Sequence, residues 1–460
     1  MTSPNILTLL SQAGIPHITP HDADFSSTLR SYTGSYDDAK PAVVTLPTSG
    51  EQVAAIVTKC IEADYPMVVR GGGHDVQGRF AVKNAVSIDL RNLNSVIVAQ
   101  DTARVGGGVT SSQVLEQLEK HGRQAATGSC GSVGFTGWSL IGGLGAYVQS
   151  YGLGADQIVG ATVVNGQGQL VDADSELLKG LRGGGGSLAV VVELTVKVYP
   201  LQKIQAGLAM YDSSDIEQGI TTFFTNFDAL TSNHKIPSQL SLMPFTAPFP
   251  GMGVTVACAF VWNGPASEES AMWVDRVAAL APVAVGPPGP KEAIRETTPF
   301  QWITMLTTFI PPEVTGRMQT ASITKFSPDL VSALAKSSAR MPKGGFTSLN
   351  FHLLRSDSPS CSNDVPESVL PYREPHIFVE IMGFAGEGCS AADAAAWSLD
   401  TRNAIMQVDG SSNKTYLALT ALEFVDLHAI YGEKLEVLKE LKRKYDPNGV
   451  FRNTLPRLLD

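Results

Sequence analysis

The sequence is poor in the features that tie a protein to a membrane, to nucleic acid or to a metal. No apolar run reaches the roughly 18 residues a bilayer-spanning helix needs, so no partnership with a membrane is expected. Net charge is −10, and no basic run stands out beyond the short LKRK at 441–444, which argues against nucleic acid and anionic lipid. Cysteine is scarce: Cys60, Cys130, Cys258, Cys361 and Cys389 are odd in number and widely spaced, which is no disulfide framework. Four of them read as small buried hydrophobes. Neither CxxC nor HExxH occurs, so no metal site is expected. The opening MTSPNILTLLSQAGIPH lacks a basic start, a long apolar core and a small-residue cleavage site; a cytoplasmic protein is expected. Without a leader the NKT sequon at Asn413 carries little weight, and no repeat of solenoid period is present.

What the chain does have is length and glycine. Its 460 residues suggest two or three domains, and 43% hydrophobic with 17% charged residues describes a globular protein. PAVVTLPTSGEQVAAIVTKC (41–60) reads as strand, turn and helix, with Thr48 or Ser49 as cap and Val53, Ile56, Val57 and Cys60 inward. YPMVVR and AVSIDL read as strands, ARVGGGVTSSQVLEQLEKHG as strand, glycine turn and helix, and ATVVNGQGQLVDA as a hairpin. Beyond Pro200 glycine thins. Strand-like runs such as SQLSLMPF, GVTVACAFVW and FTSLNFHLL alternate with helical patterns, and 285–292 and 355–375 read as surface loops. In the last helix Leu435, Leu438, Leu441 and Tyr445 share a face, and Pro447 ends it. The division expected is 1–201, 202–405 with an antiparallel sheet and helices, and 406–460 returning to the first part.

VVRGGGHDVQGRF (68–80) poses the functional question. Consecutive glycines after a strand let backbone N–H groups converge on an anion, for which a pyrophosphate is the usual occupant. No GxxxxGK[ST] is present, and no strand–GxGxxG–helix with a following acidic residue is evident. Glycine-rich turns nevertheless recur at 71–73, 106–108, 142–145 and 183–186. Together they point to a long ligand lying across many backbone segments, such as FAD.

The ordered set VVRGGGHD, GGGVT, TGSCGSVGFTGWSLIGGLGAYVQSYGLGADQIVGATVV, LRGGGG…VVVELTVKVYP and YDPNGVF resembles the vanillyl-alcohol-oxidase class of flavoproteins, and within it the berberine bridge enzyme-like oxidases. The resemblance covers about 38–201 and 430–453. It implies an α+β fold: a PCMH-type FAD-binding domain of two α/β subdomains, plus a substrate domain whose antiparallel sheet is flanked by helices. It implies FAD attached covalently through His74, directly after the glycines, and through Cys130 in CGSVGFTG. It further implies cofactor contacts from Val69, Arg70, Gly71, Gly72, Gly73, Asp75 and Gly78, from Gly128, Ser129, Val133, Gly134 and Gly137, and from Gly142, Gly145, Gly152, Asp156 and Val191. Departures from the family pattern are Ser187 in GGGGSLA, Gln157 in ADQ and the QS before YGL. In YLAL, Ala418 and Leu419 replace polar or aromatic residues, so Tyr416 alone survives there.

Candidates for a catalytic base come from period-two patterns in two strands. Ser348, Asn350 and His352 share one face of TSLNFHLL; His376, Phe378, Glu380 and Met382 share one face of HIFVEIMG. Glu380 stands out because a carboxylate in an apolar strand is costly unless used or paired. Tyr416 is the third candidate. The activity expected is oxidation of a small secondary metabolite, with hydride passing to flavin N5, dioxygen as acceptor and hydrogen peroxide as product, with or without ring closure. Alternatives are a redox-neutral cyclase on the same fold, a carbohydrate oxidase, or a flavin-binding protein without catalysis. The oligomeric state expected is monomer or homodimer.

Overall fold

Three sheets and a two-stranded ribbon (Arg123–Gln124 with Tyr199–Pro200) organise the computed structural model of the chain, which describes residues 6–33, 39–370, 373–412 and 414–458; Asn413, the sequon asparagine, lies outside them. The first sheet has four strands in the order His17–Ile18, Val43–Thr45, Val86–Asp89, Met67–Arg70, the last three parallel. Its strands are runs of buried valine and isoleucine, as parallel strands covered on both faces require. The helix Gly50–Glu62 covers it with Val53, Ile56, Val57 and Cys60, and Ser49 caps that helix by accepting the Gln52 amide.

The second sheet is antiparallel: Val96–Val98, Thr102–Gly106, Val190–Lys197, Ile158–Val164, Leu170–Asp172. The hairpin read in ATVVNGQGQLVDA forms its edge. The glycine run at 183–186 does less to cradle a ligand than its composition suggests. Gly183 and Gly184 end the helix Ser175–Gly184, and Cβ atoms there would strike Leu370 and Leu438. The last long helix, Lys434–Tyr445, packs Leu435, Leu438 and Leu441 inward, and Asp446 then accepts the amides of Val450 and Phe451 to shape the YDPNGVF turn.

The third sheet is the largest, eight antiparallel strands in the order Arg295–Thr297, Ile204–Met210, Gly253–Trp262, Leu240–Phe249, Gly345–Leu354, His376–Gly386, Gly316–Ile323, Ser411–Ser412. It thus extends past residue 405, because Ser411 and Ser412 pair with Ile323 and Ser322. Helices Ile216–Asn233, Pro328–Ala339 and Ala391–Met406 cover one face around a cluster of Phe223, Phe224, Phe227, Phe326 and Phe351. Alternation along the strands sends Phe351 and Val379 into that core and Asn350 and Glu380 to the opposite face, where they sit directly across from each other. No helix among the described residues is long and apolar enough to cross a membrane.

Candidate active site

A cavity of about 790 Å³ lies between the glycine loops of the first two sheets and the open face of the third. Its floor is largely backbone. The glycines after the strand Met67–Arg70 lie against the 128–134 loop so closely that a Cβ on Gly72 would sit 2.4 Å from the Gly134 nitrogen, and one on Gly134 would sit 2.6 Å from the Gly72 nitrogen. Gly73 turns through φ 68°, where a side chain would strike the Arg70 guanidinium. That guanidinium is buried, 3.5 Å from Asp89, and donates to the carbonyls of Thr28 and Arg30, pinning the N-terminal segment beneath the turn.

His74 and Cys130 meet on this floor. His74 Nε2 lies 3.9 Å from Cys130 Sγ and 2.7 Å from Ser132 Oγ, which is itself 3.2 Å from the sulfur. Tyr32 stacks on the imidazole at 4.0 Å and 17°. The residue lines the cavity, and burial lowers its pKa to about 4, leaving a neutral imidazole. Burial raises the Cys130 thiol, more than the Ser132 hydrogen bond offsets.

The roof is side chain. Ser348, Asn350, His352, Glu380 and Met382 all reach the cavity. His352 Nε2 stands 3.3 Å from Glu380 Oε1 as an ion-pair contact without hydrogen-bond alignment, and the nitrogen is buried. Burial opposes protonation of His352, but Glu380 outweighs it and the histidine pKa is raised. Asn350 donates to Ser348 Oγ at 3.0 Å and approaches Glu380 Oε2 at 3.4 Å. Tyr416 borders the cavity with its ring, but its hydroxyl accepts the Gly143 amide at 3.2 Å, and burial pushes its pKa up. Phe378 is buried edge-on to Tyr416, and His376 lies outside the cavity.

Of the cofactor contacts expected, Val69 to Asp75, Gly128 to Cys130, Val133, Gly134, Gly137 and Val191 line the cavity. Gly78, Gly142, Gly145, Gly152 and Asp156 do not. Asp156 is occupied by Arg373 at 2.7 Å, the Ser360 hydroxyl and the Leu153 amide; Gly145 and Gly152 are glycine because Cβ atoms would strike Thr127 and Ser360. Asp75 reaches the cavity but is held by Arg79 at 2.8 Å. Sequence reasoning passed over Arg79 and Gln77. Buried Arg79 donates to the carbonyls of Leu417, Ala418 and Thr420, and Gln77 to those of Met318 and Leu419, so the YLAL segment is bound to the floor through its backbone. It also passed over the apolar wall of Tyr32, Met243, Phe245, Phe309, Met318 and Phe346, which carries no motif.

The residues fit a flavin dinucleotide. The cavity has a glycine floor that side chains would fill, and two nucleophilic side chains meet at one point on it. Comparison with known proteins agrees. Residues 41–174 match the model of an FAD binding domain, and 425–456 match the berberine and berberine-like model. The FAD-linked oxidoreductase aurO of Gibberella zeae is 32% identical over 427 residues, 90% of this chain and 80% of that protein. The fold is similar to 6-hydroxy-D-nicotine oxidase from Arthrobacter nicotinovorans (TM-score 0.82, 21% identity, 97% and 98% of the two chains covered). It is similar too to glucooligosaccharide oxidase from Acremonium strictum (TM-score 0.81, 17% identity, 97% of each chain). On its sequence, its fold and the two matched domains, the chain belongs to the berberine bridge enzyme-like family of FAD-linked oxidoreductases.

Proposed function

We propose that the protein is an oxidase that carries FAD on two covalent bonds, to His74 and Cys130, and oxidises a small, largely apolar secondary metabolite. The observation that carries this reading is the 3.9 Å approach of His74 Nε2 and Cys130 Sγ on a floor open to the cavity. Supporting it, the fold neighbour from Acremonium is described as holding a 6-S-cysteinyl, 8α-N1-histidyl FAD. Bound there, FAD supplies the hydride acceptor and, through dioxygen, the route by which electrons leave as hydrogen peroxide.

The chain's own residues then have distinct tasks. Backbone amides of the glycine loops hold the dinucleotide. Glu380 is the base: it lines the cavity, and the neighbouring His352 Nε2 is buried. The carboxylate takes the substrate's O–H or N–H proton as hydride leaves the adjacent carbon. His352 and Asn350 orient that carboxylate from two sides. Tyr416 holds the Gly143 turn through its hydroxyl and offers only its ring to the cavity. Met243, Phe245, Met318, Phe346 and Leu419 exclude water from the space between; such a wall suits a flat apolar substrate better than an oligosaccharide.

Intact mass after acid denaturation tests the attachment: one FAD should remain on the chain, on His74→Ala alone and on Cys130→Ala alone, and none on the double variant. Yellow colour that washes out of the acid precipitate would sink the tethered reading. Substrate added without oxygen should bleach the visible absorbance, and oxygen should restore it with one peroxide per cycle; turnover without bleaching would instead favour a redox-neutral cyclase.

A further inference from the structure

Ser132 sits between the two attachment residues, and neither the glycine pattern nor the proposed redox step gives it a task. Its hydroxyl is 2.7 Å from His74 Nε2 and 3.2 Å from Cys130 Sγ, and the residue is exposed where His74 and Cys130 are half-buried. Nδ1 of His74 makes no hydrogen bond among the described residues, and the Tyr32 stack fixes the plane in which it points.

A neutral imidazole has one N–H, and a serine hydroxyl has one hydrogen and two lone pairs. If the imidazole hydrogen is on Nε2 and donated to Ser132, Nδ1 keeps its lone pair, and the serine hydrogen is free for Cys130 Sγ, where it favours thiolate. The reverse arrangement puts the hydrogen on Nδ1 and makes the thiol a donor, and then neither atom is ready to form a bond. We propose that Ser132 is a positioning residue for flavin attachment: one hydroxyl holds His74 as its Nε2–H tautomer with Nδ1 as nucleophile, supports the Cys130 thiolate, and passes the released proton to water.

The chemistry balances. At His74 an N–C bond forms to the flavin 8α carbon, with one hydrogen lost from the methyl group and one from the imidazole. At Cys130 an S–C bond forms to flavin C6, with one hydrogen lost from the thiol and one from the ring carbon. Each bond releases two electrons and two protons, and dioxygen takes them up as hydrogen peroxide. The imidazole hydrogen is the one on Nε2, and Ser132 is its exit from a half-buried site. This proposal rests on tethering at His74 and Cys130, and the test separates the two claims.

Flavin-depleted chain is supplied with FAD, and adduct growth is followed by intact mass after acid quenching, in Cys130→Ala to isolate the histidine bond and in His74→Ala to isolate the cysteine bond. Adding Ser132→Ala should slow both by about 10-fold or more, the loss of one hydrogen bond to a developing charge, and Ser132→Thr should restore both. FAD affinity before attachment and circular dichroism should be unchanged. If Ser132→Ala does not fold, the pair Ser132→Thr and Ser132→Val differs only by the hydroxyl and must show the same contrast. Absence of any adduct on the unsubstituted chain overturns the tethering, and this proposal with it. An adduct that forms equally fast with and without the hydroxyl overturns the role of Ser132 alone.

Discussion

The floor and the roof of the cavity are built by opposite means. The floor is backbone brought so close that Gly72 and Gly134 leave no room for a Cβ between them. The roof is a sheet face whose side chains do the work, with Glu380, His352 and Asn350 as its polar centre among methionine and phenylalanine. Backbone recognition suits a constant ligand such as a dinucleotide. Side-chain recognition can be rewritten one residue at a time without disturbing the fold, as a family acting on many substrates requires.

The sharpest break between the two halves should come from Glu380→Gln. It keeps the shape of the roof, so flavin content should be unchanged while kcat falls by about 10²–10⁴-fold. The same substitution changes a pH profile. Glu380 holds the His352 pKa above its ordinary value although burial opposes it. Folded protein therefore keeps that proton to higher pH than the unfolded chain does. The stabilisation is complete below the ordinary histidine range and is lost as pH rises through the raised value. Melting temperature measured against pH should show that decline beginning above the ordinary histidine range, and Glu380→Gln should flatten it. Equal kcat in the two proteins would remove Glu380 as the base.

Arg79 joins the halves, and its loss should be the next largest effect. Its guanidinium is buried, pairs with Asp75 and ties down three carbonyls of the segment 417–420. Arg79→Ala would leave those carbonyls and a part-exposed carboxylate without their partner, and each buried polar group left unsatisfied costs about 1–3 kcal/mol. Denaturant unfolding should register it. A change within error would mean that the YLAL segment is held by packing alone.

This contrast also explains what the sequence reveals. The glycine run at 71–73 was legible because a floor of bare backbone allows few residues, whereas the glycines of 128–137 and the places of His74 and Cys130 came with the family resemblance. Other glycine-rich stretches carry packing as well: Gly142, Gly145 and Gly152 meet Tyr416, Thr127 and Ser360, and Gly183 meets Leu370, while Gly186 of that last run borders the cavity. Composition cannot separate a glycine that makes room for a ligand from one that makes room for another strand of the chain. The period-two face carrying Ser348, Asn350 and His352 was readable, and so was Glu380, but their meeting depends on the register Asn350↔Glu380 between distant strands. Tyr32 and Arg79 act through partners far along the chain, Tyr32 on His74 and Arg79 on residues 417–420, and no local pattern announces such contacts.

Gly134→Ala tests the floor directly. The added methyl group would meet backbone at 2.6 Å, where no rotamer change can relieve it. Overpacking of this kind costs about 1–3 kcal/mol, and the two loops should separate. The expected result is a lower ratio of flavin to protein absorbance with little change in the far-ultraviolet circular dichroism. Flavin content equal to that of the unsubstituted chain would mean that the close approach of the loops is dispensable.

Phe245→Ala should have the smallest effect and the most selective. Phe245 lies half-buried on the roof, paired in register with Asn350 and in ring contact with Phe249 at 6.1 Å, so it borders the polar centre without touching the floor. Removing the ring takes away apolar contact that a bound substrate would make in the ground state and in the transition state alike. Uniform loss of that kind raises KM and leaves kcat nearly unchanged. With about 1–3 kcal/mol at stake for apolar contact in a pocket, KM should rise about 10-fold, and flavin attachment should match the unsubstituted chain. A fall in kcat with KM unchanged would instead mean that the ring positions substrate against Glu380, and the division between a binding wall and a reacting centre would have to be redrawn with Phe245 on the reacting side.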